Sequence, residues 1–391
     1  MKALAWSLLR RLLGPPPAPR RDYPVHLPAA TPTRRGRVLM SYLAGGVHLP
    51  DGHPGLMTHS NLWESREIAR IFSRMGYDVD VIAWDDHRFV PKVDYDVVFD
   101  IDANLQRLAP LLPERAVRIL HLTGSYGPFQ NAEELARVAA FEARTGKLYS
   151  PKRLLRWVEL AERSLRLAHQ CSLLGNAATL STYPEAYRDK ISLVPVSGSF
   201  LDQVRDGAAI RSAAGGEFLW FYGAGAVHKG LDLVLEAFAN HPEWTLHVVG
   251  EAPEEPDFKR ACSELLARPQ VHLHGRLVPG SAAFREKLDR VFCFIAPSCS
   301  EGISPAAVTC LQFGLYPILG RRNGIDLPAG CGIALDDVSP ASIERAAMAA
   351  QALSPEEVVL QTCRCQEMAM RTFSREAFSR AYHQFLETMF G

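Results

Sequence analysis

The sequence predicts an α/β protein built from two Rossmann-like, doubly wound domains that face each other across a cleft. Its 391 residues exceed what one hydrophobic core usually organises, so two domains are expected. Short apolar runs alternate with amphipathic segments, and this alternation begins anew near residue 217. Because ligands of parallel sheets bind beyond the carboxyl ends of the strands, the loops after the strands should line the cleft.

The composition is that of a globular protein with balanced charge. Lysine plus arginine and aspartate plus glutamate number 43 each, and 47% of the residues are apolar. Such a balance gives no overall reason to expect nucleic acid as a partner. The eight cysteines are scattered through apolar or helical surroundings, which favours reduced core thiols over disulfides or a metal site.

The amino-terminal arm, residues 1–35, is basic and rich in proline. Its start, "MKALAWSLLRRLLGPPPAPRR", is too short in apolar residues to span a membrane and lacks the small-residue cleavage site of a signal peptide. Two interpretations stay open, an amphipathic helix on an anionic membrane surface and an arm without fixed structure. The first would hold a cytoplasmic protein peripherally at the inner face of the cell membrane.

The first domain is predicted over residues 36–200. "RVLMSYLA" is a buried-strand pattern, "NLWESREIARIFSRMGY" has helical periodicity with a stop at Gly76, and "DVDVIAW" returns as a strand, which completes one βαβ unit. Residues 130–147 and 152–169 are predicted as helices. The remaining predicted strands of this half are "YDVVFDID", "VRILHLTG", "QCSLLGN" and "ISLVPVS".

The second domain is predicted over residues 201–372. "EFLWFYGAG" is a strand that enters a glycine loop, and "KGLDLVLEAFANHP" is the helix after it. The strands that follow, with helices between them, are "TLHVVGE", "VHLHGRL", "VFCFIAPS" and "LYPILG". The last segment, residues 373–391, is a helix with no strand after it, so we expect it to pack back toward the first domain.

A glycine loop in the second domain, "GAGAVHKG" at 223–230, has the features of an anion site. Its glycines let the backbone approach a ligand closely, and the helix that begins near Lys229 should offer unpaired N–H groups and a positive dipole end. Together with the lysine ammonium, this suits a diphosphate. The spacing lacks the full pattern of a nicotinamide-binding or Walker loop.

A second stretch, "PSCSEGISPAAVTCLQFGLYPIL" at 297–319, places Glu301 and Gly302 between a predicted strand and a predicted helix. Glu301 could contact a ligand in the cleft, or it could only cap the helix, since acids are favoured at helix N-termini. Thr309 follows Glu301 by eight residues, which on a helix would place both side chains on one face and toward one ligand.

Five motifs occur in one order in the second half: "HKGLDLVLEAF", "VVGEAP", "VHLHGRL", "APSCSEGISP" and "FGLYPIL". This ordered set resembles the donor-binding half of GT-B glycosyltransferases, specifically glycosyltransferase family four. The resemblance extends over nearly the whole chain from about Arg37. "LTGSYGPFQNAEELARV" and "LLGNAATLSTYP" also resemble parts of a subgroup that acts on bacterial surface polysaccharides.

The resemblance implies roles for individual residues. Lys229 would hold the donor diphosphate, Glu301 would contact the donor sugar, and His121 would lie near the transferred sugar, so these three are the implied catalytic residues. Asn61 and Glu64 would lie on the acceptor side, although such a pair also fits a helix cap. The implied donor-binding residues are Gly45, Gly46, Gly225, His228, Gly275, Arg276, Gly302, Ile303, Ser304 and Thr309.

The chain departs from the family pattern at two positions. Family members usually carry an arginine five residues before the lysine, where this chain has Ala224, and His228 or Arg276 could replace it. They also usually carry a second glutamate, which binds the nucleotide ribose, where this chain has Thr309. A hydroxyl can still bond to a ribose, but less strongly than a carboxylate.

The expected activity is that of a retaining, metal-independent glycosyltransferase of the hexosyltransferase type, with a nucleotide-diphosphate sugar as co-substrate and no cofactor. Its acceptor would be a glycan or a lipid-linked saccharide in surface polysaccharide synthesis. Basic groups would replace a divalent ion, and "DID" at 100–102 is interpreted as a strand end rather than a metal motif. Two alternatives remain, a degenerate GT-B protein that binds without transfer and a nucleotide-sugar epimerase.

Overall fold

The computed structural model of the chain describes residues 24–58, 60–155, 158–199, 201 and 203–390. The basic segment predicted to bind a membrane surface, residues 1–14, lies outside these ranges. Within them, no helix combines the length and the apolar character that crossing a bilayer requires.

Seven strands of the described residues form the first sheet, in the order β1–β3–β2–β4–β5–β6–β7. All neighbours are parallel except β1, which pairs antiparallel with β3. The central strand, Val97–Asp100, is buried along its whole length, as its apolar run predicts. The strands are β1 Val25–Leu27, β2 Gly36–Tyr42, β3 Tyr77–Ala83, β4 Val97–Asp100, β5 Val117–Leu122, β6 Gln170–Leu174 and β7 Ile191–Val194.

Helices cover both faces of this sheet. The amphipathic segment predicted at 61–77 forms α2, and the segment at 130–147 forms α4, while the helix predicted at 152–169 begins only at Val158. The helices of this half are α1 Pro54–Thr58, α2 Ser60–Arg74, α3 Asn104–Leu108, α4 Gly127–Thr145, α5 Val158–Leu167, α6 Ala177–Leu180 and α7 Glu185–Arg188.

The strand β1 lies inside the segment that the sequence assigned to the amino-terminal arm. Its residues pair with β3, and His26 Nδ1 lies 2.8 Å from Asp80 Oδ1. A strand of three residues is too short for its apolar pattern to be distinguished from that of a loop. The sequence therefore did not predict this edge strand.

Six strands of the described part of the chain form the second sheet, all parallel, in the order β10–β9–β8–β11–β12–β13. Its core includes Trp220, Phe294 and Ile318, which are at most 2% exposed. The strands are β8 Glu217–Phe221, β9 Leu246–Val249, β10 Val271–Gly275, β11 Val291–Ala296, β12 Tyr316–Gly320 and β13 Ile333–Leu335. The helices are α8 Gly207–Ala213, α9 Leu231–Phe238, α10 Pro256–Ala261, α11 Ser263–Leu266, α12 Ala282–Leu288, α13 Pro305–Phe313, α14 Pro340–Gln351, α15 Pro355–Thr372 and α16 Arg375–Phe390.

The strand order of the second sheet reverses between β8 and β11. From β8 the chain adds β9 and β10 on one side, and then β11 to β13 on the other. In sheets of this kind, ligands bind in the crevice at the reversal point. The loops that leave β8 and β11 there are the two that the sequence singled out, 223–230 and 297–304.

The carboxyl-terminal helix α16 packs on the first half of the chain. The Phe378 and Trp63 rings meet edge to face, with centroids 5.8 Å apart. Farther along, the Tyr382 hydroxyl lies 2.8 Å from Ser172 Oγ on β6. The helix therefore ties the end of the chain to the first sheet.

The two halves touch directly. Arg144 of α4 forms ion pairs with Asp232 and Glu236 of α9, and the Tyr149 hydroxyl donates to Glu255 Oε2 at 2.6 Å. The walls of the interdomain cleft are thus held together at one end by charged and hydrogen-bonded side chains.

Candidate active site

The centre of the cleft is an ion pair between Lys229 and Glu301, the two residues to which the sequence gave the main roles. Their side chains are only 8% and 12% exposed. The Lys229 ammonium also lies 5.2 Å from the centre of the Tyr222 ring. The loops after β8 and β11 therefore bring both predicted residues to one point at the reversal of the strand order.

Each member of the pair favours the charged form of the other. Burial lowers the pKa of Lys229 below its usual value, and the attraction of Glu301 acts in the opposite direction. Burial acts to raise the pKa of Glu301, but the charge and hydrogen bond of Lys229 outweigh it, so that pKa lies below its ordinary value. The site thus contains a carboxylate and an ammonium that nearly cancel.

The backbone around Lys229 is fixed by glycines and by the core. Gly230 adopts φ +70°, and a Cβ there would lie 2.7 Å from Pro297 Cγ, so no larger residue fits without displacement. Trp220 donates its indole N–H to the Lys229 carbonyl at 3.1 Å. These contacts aim the lysine at the loop after β11.

The amides at the start of α9 are not unpaired, which corrects the prediction for this loop. Those of Lys229, Gly230 and Leu231 donate to carbonyls within the same turn. The Gly225 and Ala226 amides donate to the Glu255 carboxylate at 2.5 and 3.3 Å. These amides are therefore not free to bind a ligand. The positive charge of this loop comes from the Lys229 side chain and not from the start of the helix.

Glu301 does not cap a helix. The helix α13 begins at Pro305, and the Ser304 side chain caps it by accepting from the Ala307 amide at 3.3 Å. No described residue accepts a hydrogen bond from the amides of Gly302 and Ile303. The donors in front of α13 therefore remain available beside the Lys229–Glu301 pair, which is the arrangement that anions favour.

Gly302 lies where the backbones of the two halves approach each other closely. A Cβ at this position would lie 2.5 Å from the Leu174 carbonyl oxygen and 2.9 Å from that of Thr123. The Ser125 hydroxyl donates to the Glu301 carbonyl at 2.7 Å. The backbone of the Glu301 loop is therefore held against strand ends of the first sheet.

Two cavities open on either side of this contact. One, of about 480 Å³, is lined by Glu301, Gly302, Thr123 and Arg153 together with Trp84 of the first half. Both halves of the chain contribute to it, so a ligand there would touch the Glu301 side chain and the first sheet's loops.

The other cavity, of about 460 Å³, contains the predicted nucleotide side. Arg276, Thr309 and Asn61 line it, with Tyr222 and Glu251. Asn61, which the sequence predicts for the acceptor side, therefore shares a cavity with Arg276 and Thr309. Gly275, with φ +62°, ends β10 just before Arg276 and turns the chain toward this cavity.

Thr309 and Glu301 line different cavities, and the expectation that they share one helix face is wrong. Glu301 precedes the helix, so helical periodicity does not relate the two positions. The Thr309 hydroxyl lies 2.8 Å from Ser199 Oγ and donates to the Pro305 carbonyl at 2.9 Å. It is 1% exposed, so little of it is free for a ribose.

His228 is a structural residue in this geometry and does not replace the missing arginine. It is 2% exposed, and its Nε2 lies 2.8 Å from the Ser300 carbonyl oxygen. Its Nδ1 lies 3.5 Å from Glu134 Oε2. The ring therefore links the two loops of the site to α4 of the first half.

His121 lies in the core of the first sheet and not with the other predicted catalytic residues. It is fully buried, and its Nδ1 lies 2.9 Å from Ser172 Oγ and 3.2 Å from the Tyr382 hydroxyl. Burial lowers its pKa to about 3, so the imidazole is neutral. Its place one residue before the end of β5 turns it into the sheet's interior.

The two loop glycines of the first half are also away from both cavities. Gly45 and Gly46 belong to a 3₁₀ turn at Ala44–Gly46. A Cβ on Gly46 would lie 2.9 Å from the Leu62 side chain, so this glycine permits close packing on α2. The acidic letters "DID" likewise serve the fold, since Asp100 is fully buried and accepts from the Leu105 amide at 2.7 Å.

Glu64 does not contact an acceptor, because it is fully buried beneath the cleft. Its Oε1 accepts from the Ser197 amide at 2.7 Å and from the Ser197 hydroxyl at 2.9 Å. Burial raises its pKa to about 7, although the Ser197 bonds act to lower it. The carboxyl therefore joins α2 to the segment that connects the two sheets.

This buried carboxyl should make stability depend on pH. The folded pKa near 7 exceeds the usual 4.5, so the contribution of Glu64 is full below about 4.5 and is lost as pH rises to about 7. In Glu64→Gln, the fall in unfolding free energy between pH 4.5 and 8 should be smaller by on the order of 3 kcal/mol. Denaturant titrations at several pH values, with the exposed Glu254→Gln as control, measure this. An equal fall in unfolding free energy between pH 4.5 and 8 in wild type and Glu64→Gln would contradict this prediction.

Several cleft residues were missed by the sequence analysis. The sequence did not predict Arg153 as a cleft residue, because its pattern favours one helix over residues 152–169. In the structure, residues 151–155 form a loop at the cleft. Ser125 and Ser199 are small polar residues in loops, and no local pattern distinguishes them. Tyr222 and Glu251 lie toward the carboxyl ends of predicted strands, and the rule that strand ends face the ligand could have identified them.

Comparisons with known proteins agree with this architecture. The family model described as "Glycosyl transferases group 1" matches residues 205–326, which include both loops of the site. The GDP-mannose:cellobiosyl-diphosphopolyprenol alpha-mannosyltransferase of Xanthomonas oryzae pv. oryzae is 28% identical over 176 residues, which cover 41% of this chain. The match spans less than half of that relative's own length, 44%.

Solved structures resemble the chain over most of its length. Sucrose-phosphate synthase from Thermosynechococcus elongatus superposes with a TM-score of 0.64 at 14% identity, covering 90% of this chain and 98% of its own. WaaG, a glycosyltransferase involved in lipopolysaccharide biosynthesis, gives a TM-score of 0.54 at 14% identity, covering 91% and 100%. The GT-B fold predicted from the sequence is therefore confirmed, and so is the resemblance to GT-B glycosyltransferases.

Proposed function

We propose that this chain is a glycosyltransferase that transfers a sugar from a nucleotide-diphosphate sugar to a glycan or lipid-linked acceptor. The observation that carries the proposal is the Lys229–Glu301 pair, set beside the available Gly302 and Ile303 amides at the reversal point of the second sheet. A cation and backbone donors at one point suit a diphosphate leaving group.

The arrangement of the two cavities suits different parts of the donor and the acceptor. The base and ribose of the donor would occupy the cavity lined by Arg276 and Thr309, and the diphosphate would lie against Lys229. The sugar would extend past Glu301 into the second cavity, where the first half of the chain offers Thr123 and Trp84 to an acceptor. The resemblance of the chain to lipopolysaccharide and diphosphopolyprenol enzymes favours a surface-polysaccharide acceptor.

The proposed chemistry is retaining and independent of a metal ion. Lys229 and the amides before α13 would stabilise the charge that grows on the leaving diphosphate. Glu301 would orient the sugar, and the leaving group would assist deprotonation of the acceptor hydroxyl on the same face. The carboxylate of Glu301 is already bound to Lys229, which favours an orienting role over that of a nucleophile.

Turnover of a nucleotide sugar tests the proposal. The protein is incubated with UDP-, GDP- and ADP-sugars and a lipid-linked saccharide acceptor, and release of the nucleoside diphosphate is followed together with the anomeric configuration of the product. We expect acceptor-dependent release with one nucleotide class and retention of configuration. Binding of a nucleotide sugar without release would instead favour the degenerate GT-B protein that Ala224 and Thr309 suggest, and isomerised free nucleotide sugar would favour the epimerase.

We also infer that residues 1–14 attach the protein to anionic membrane, on the basis of their sequence alone. A variant that begins at Pro24 keeps the edge strand β1 and should retain turnover of a water-soluble acceptor. It should lose most binding to vesicles of phosphatidylglycerol in a flotation assay. Equal flotation of both proteins would contradict membrane attachment through this segment.

A further inference from the structure

The residues that the second half of the chain places at the proposed diphosphate site carry no net positive charge. Lys229 is paired with Glu301, and the position where the family carries an arginine is Ala224, which is exposed at the mouth of the glycine loop. A diphosphate carries several negative charges, and a lone lysine that also neutralises a carboxylate balances them poorly. Arg276 of the second half lines the cavity proposed for the base, and a further cation beside the glycine loop would balance the diphosphate.

Arg153 crosses to this loop from the first half of the chain. A Cβ on Gly225 would lie 2.8 Å from Arg153 Cγ and 3.1 Å from its Cδ, so the arginine stem lies directly over the glycine loop. Arg153 also lines the cavity that contains Glu301. Its guanidinium makes no hydrogen bond or ion pair with any of the described residues.

The backbone of Arg153 is held in place by α4. Its amide donates to Glu134 Oε1 at 2.7 Å, and the Gln130 side chain donates to its carbonyl at 2.8 Å. Glu134 is 1% exposed, and its second oxygen lies 3.5 Å from Nδ1 of His228, the residue before Lys229. One buried carboxylate therefore positions both the Arg153 loop and the Lys229 loop.

The electrostatics agree with this geometry. After burial and the attraction between Lys229 and Glu301, the charge of Arg153 contributes to lowering the pKa of both groups. A charge on the first half of the chain thus acts on the centre of the site in the second half.

We propose that Arg153 binds the diphosphate of the donor and supplies, from the opposite domain, the cation that position 224 lacks. This inference rests on the proposed function. The planar guanidinium presents a fixed fork of N–H donors that binds two phosphate oxygens in a bidentate geometry, whereas a lysine ammonium lacks that fork. The diphosphate then bridges the two halves of the chain, so the anion site is complete only when the domains lie as close as they do here.

Isothermal titration of the full chain with UDP, GDP and ADP, and with the corresponding nucleosides, tests this inference. Arg153→Ala should weaken binding of the preferred nucleoside diphosphate about tenfold and leave the nucleoside unaffected. Arg153→Lys should recover part of the loss. Adding Ala224→Arg to Arg153→Ala should restore diphosphate affinity, because it returns a guanidinium from the family's own position.

Lys152→Ala is the matched control, because this neighbouring cation lies in the same loop with its ammonium 3.8 Å from Asp257. It should bind the nucleoside diphosphate as the wild type does. Steady-state kinetics add a second readout, in which Arg153→Ala raises the KM of the donor and leaves the KM of the acceptor unchanged.

Three outcomes would overturn the inference while the proposed function stands. They are diphosphate affinity within twofold of wild type in Arg153→Ala, an equal loss for diphosphate and nucleoside, and a rise only in the KM of the acceptor. The last would assign Arg153 to an anionic acceptor. Failure of the wild type to bind any nucleoside diphosphate would overturn the proposed function and this inference together.

Discussion

Replacing Lys229 with alanine is expected to weaken binding of the preferred nucleoside diphosphate about 100-fold, equivalent to about 2.7 kcal/mol. The ammonium contacts the loop that carries the Gly302 and Ile303 amides, and the amides at the start of α9 are already paired and cannot compensate. Titration calorimetry with UDP, GDP and ADP measures the loss. Lys259→Ala, which removes an exposed lysine paired with Glu254, is the control of equal charge.

The same substitution should also cost stability, because it leaves Glu301 buried without a counter-ion. We expect a loss of about 3–5 kcal/mol of unfolding free energy. The double variant Lys229→Ala/Glu301→Ala removes both charges and should regain much of that stability while its diphosphate affinity stays low. If the double variant recovered affinity as well, the binding defect of Lys229→Ala would be a consequence of instability and the anion site would be wrongly assigned.

Replacing Glu301 with glutamine is expected to lower kcat about 100-fold, in the range for loss of one well-placed electrostatic contact. The amide keeps the shape and a hydrogen bond to Lys229 but loses the charge that orients the donor sugar. The melting temperature should change little, because the glutamine side-chain oxygen can still accept a hydrogen bond from Lys229. Kinetics under saturating donor, together with thermal unfolding, measure both effects.

Glu254→Gln serves as the control for Glu301→Gln, since Glu254 is an exposed glutamate of the same domain. It should leave kcat and the melting temperature unchanged. A Glu301→Gln protein that melts earlier but keeps its kcat would show that Glu301 only supports the loop after β11.

The fold followed from the sequence because hydrophobic periodicity is a local property. The buried strands and the amphipathic helix α2 repeat their apolar residues with the periods that these elements require. The sequence did not predict the edge strand β1, because its pairing with β3 depends on a segment that is distant in sequence. The predicted start of the helix at residue 152 was wrong. The Glu134 carboxylate accepts hydrogen bonds from the amides of Lys152 and Arg153 and holds both residues in a loop.

The site was predicted only where the residues follow strand ends of the second sheet. Lys229 and Glu301 meet there because adjacent parallel strands bring their carboxyl-terminal loops together. The sequence did not predict the burial of His121 and Glu64, because whether a side chain turns into the cleft or into the core depends on packing that one sequence does not reveal. Arg153 reaches the site across the domain interface, and no sequence spacing encodes that approach.

A crystal structure of the protein with its preferred nucleoside diphosphate tests the central claim most directly. We predict the base in the cavity beside Arg276 and the diphosphate within hydrogen-bond distance of the Lys229 ammonium and the Gly302 or Ile303 amide. Lys229 would then exchange at least part of its contact with Glu301 for phosphate oxygens. A nucleoside diphosphate bound outside the interdomain cleft, with the Lys229–Glu301 pair untouched, would contradict the account.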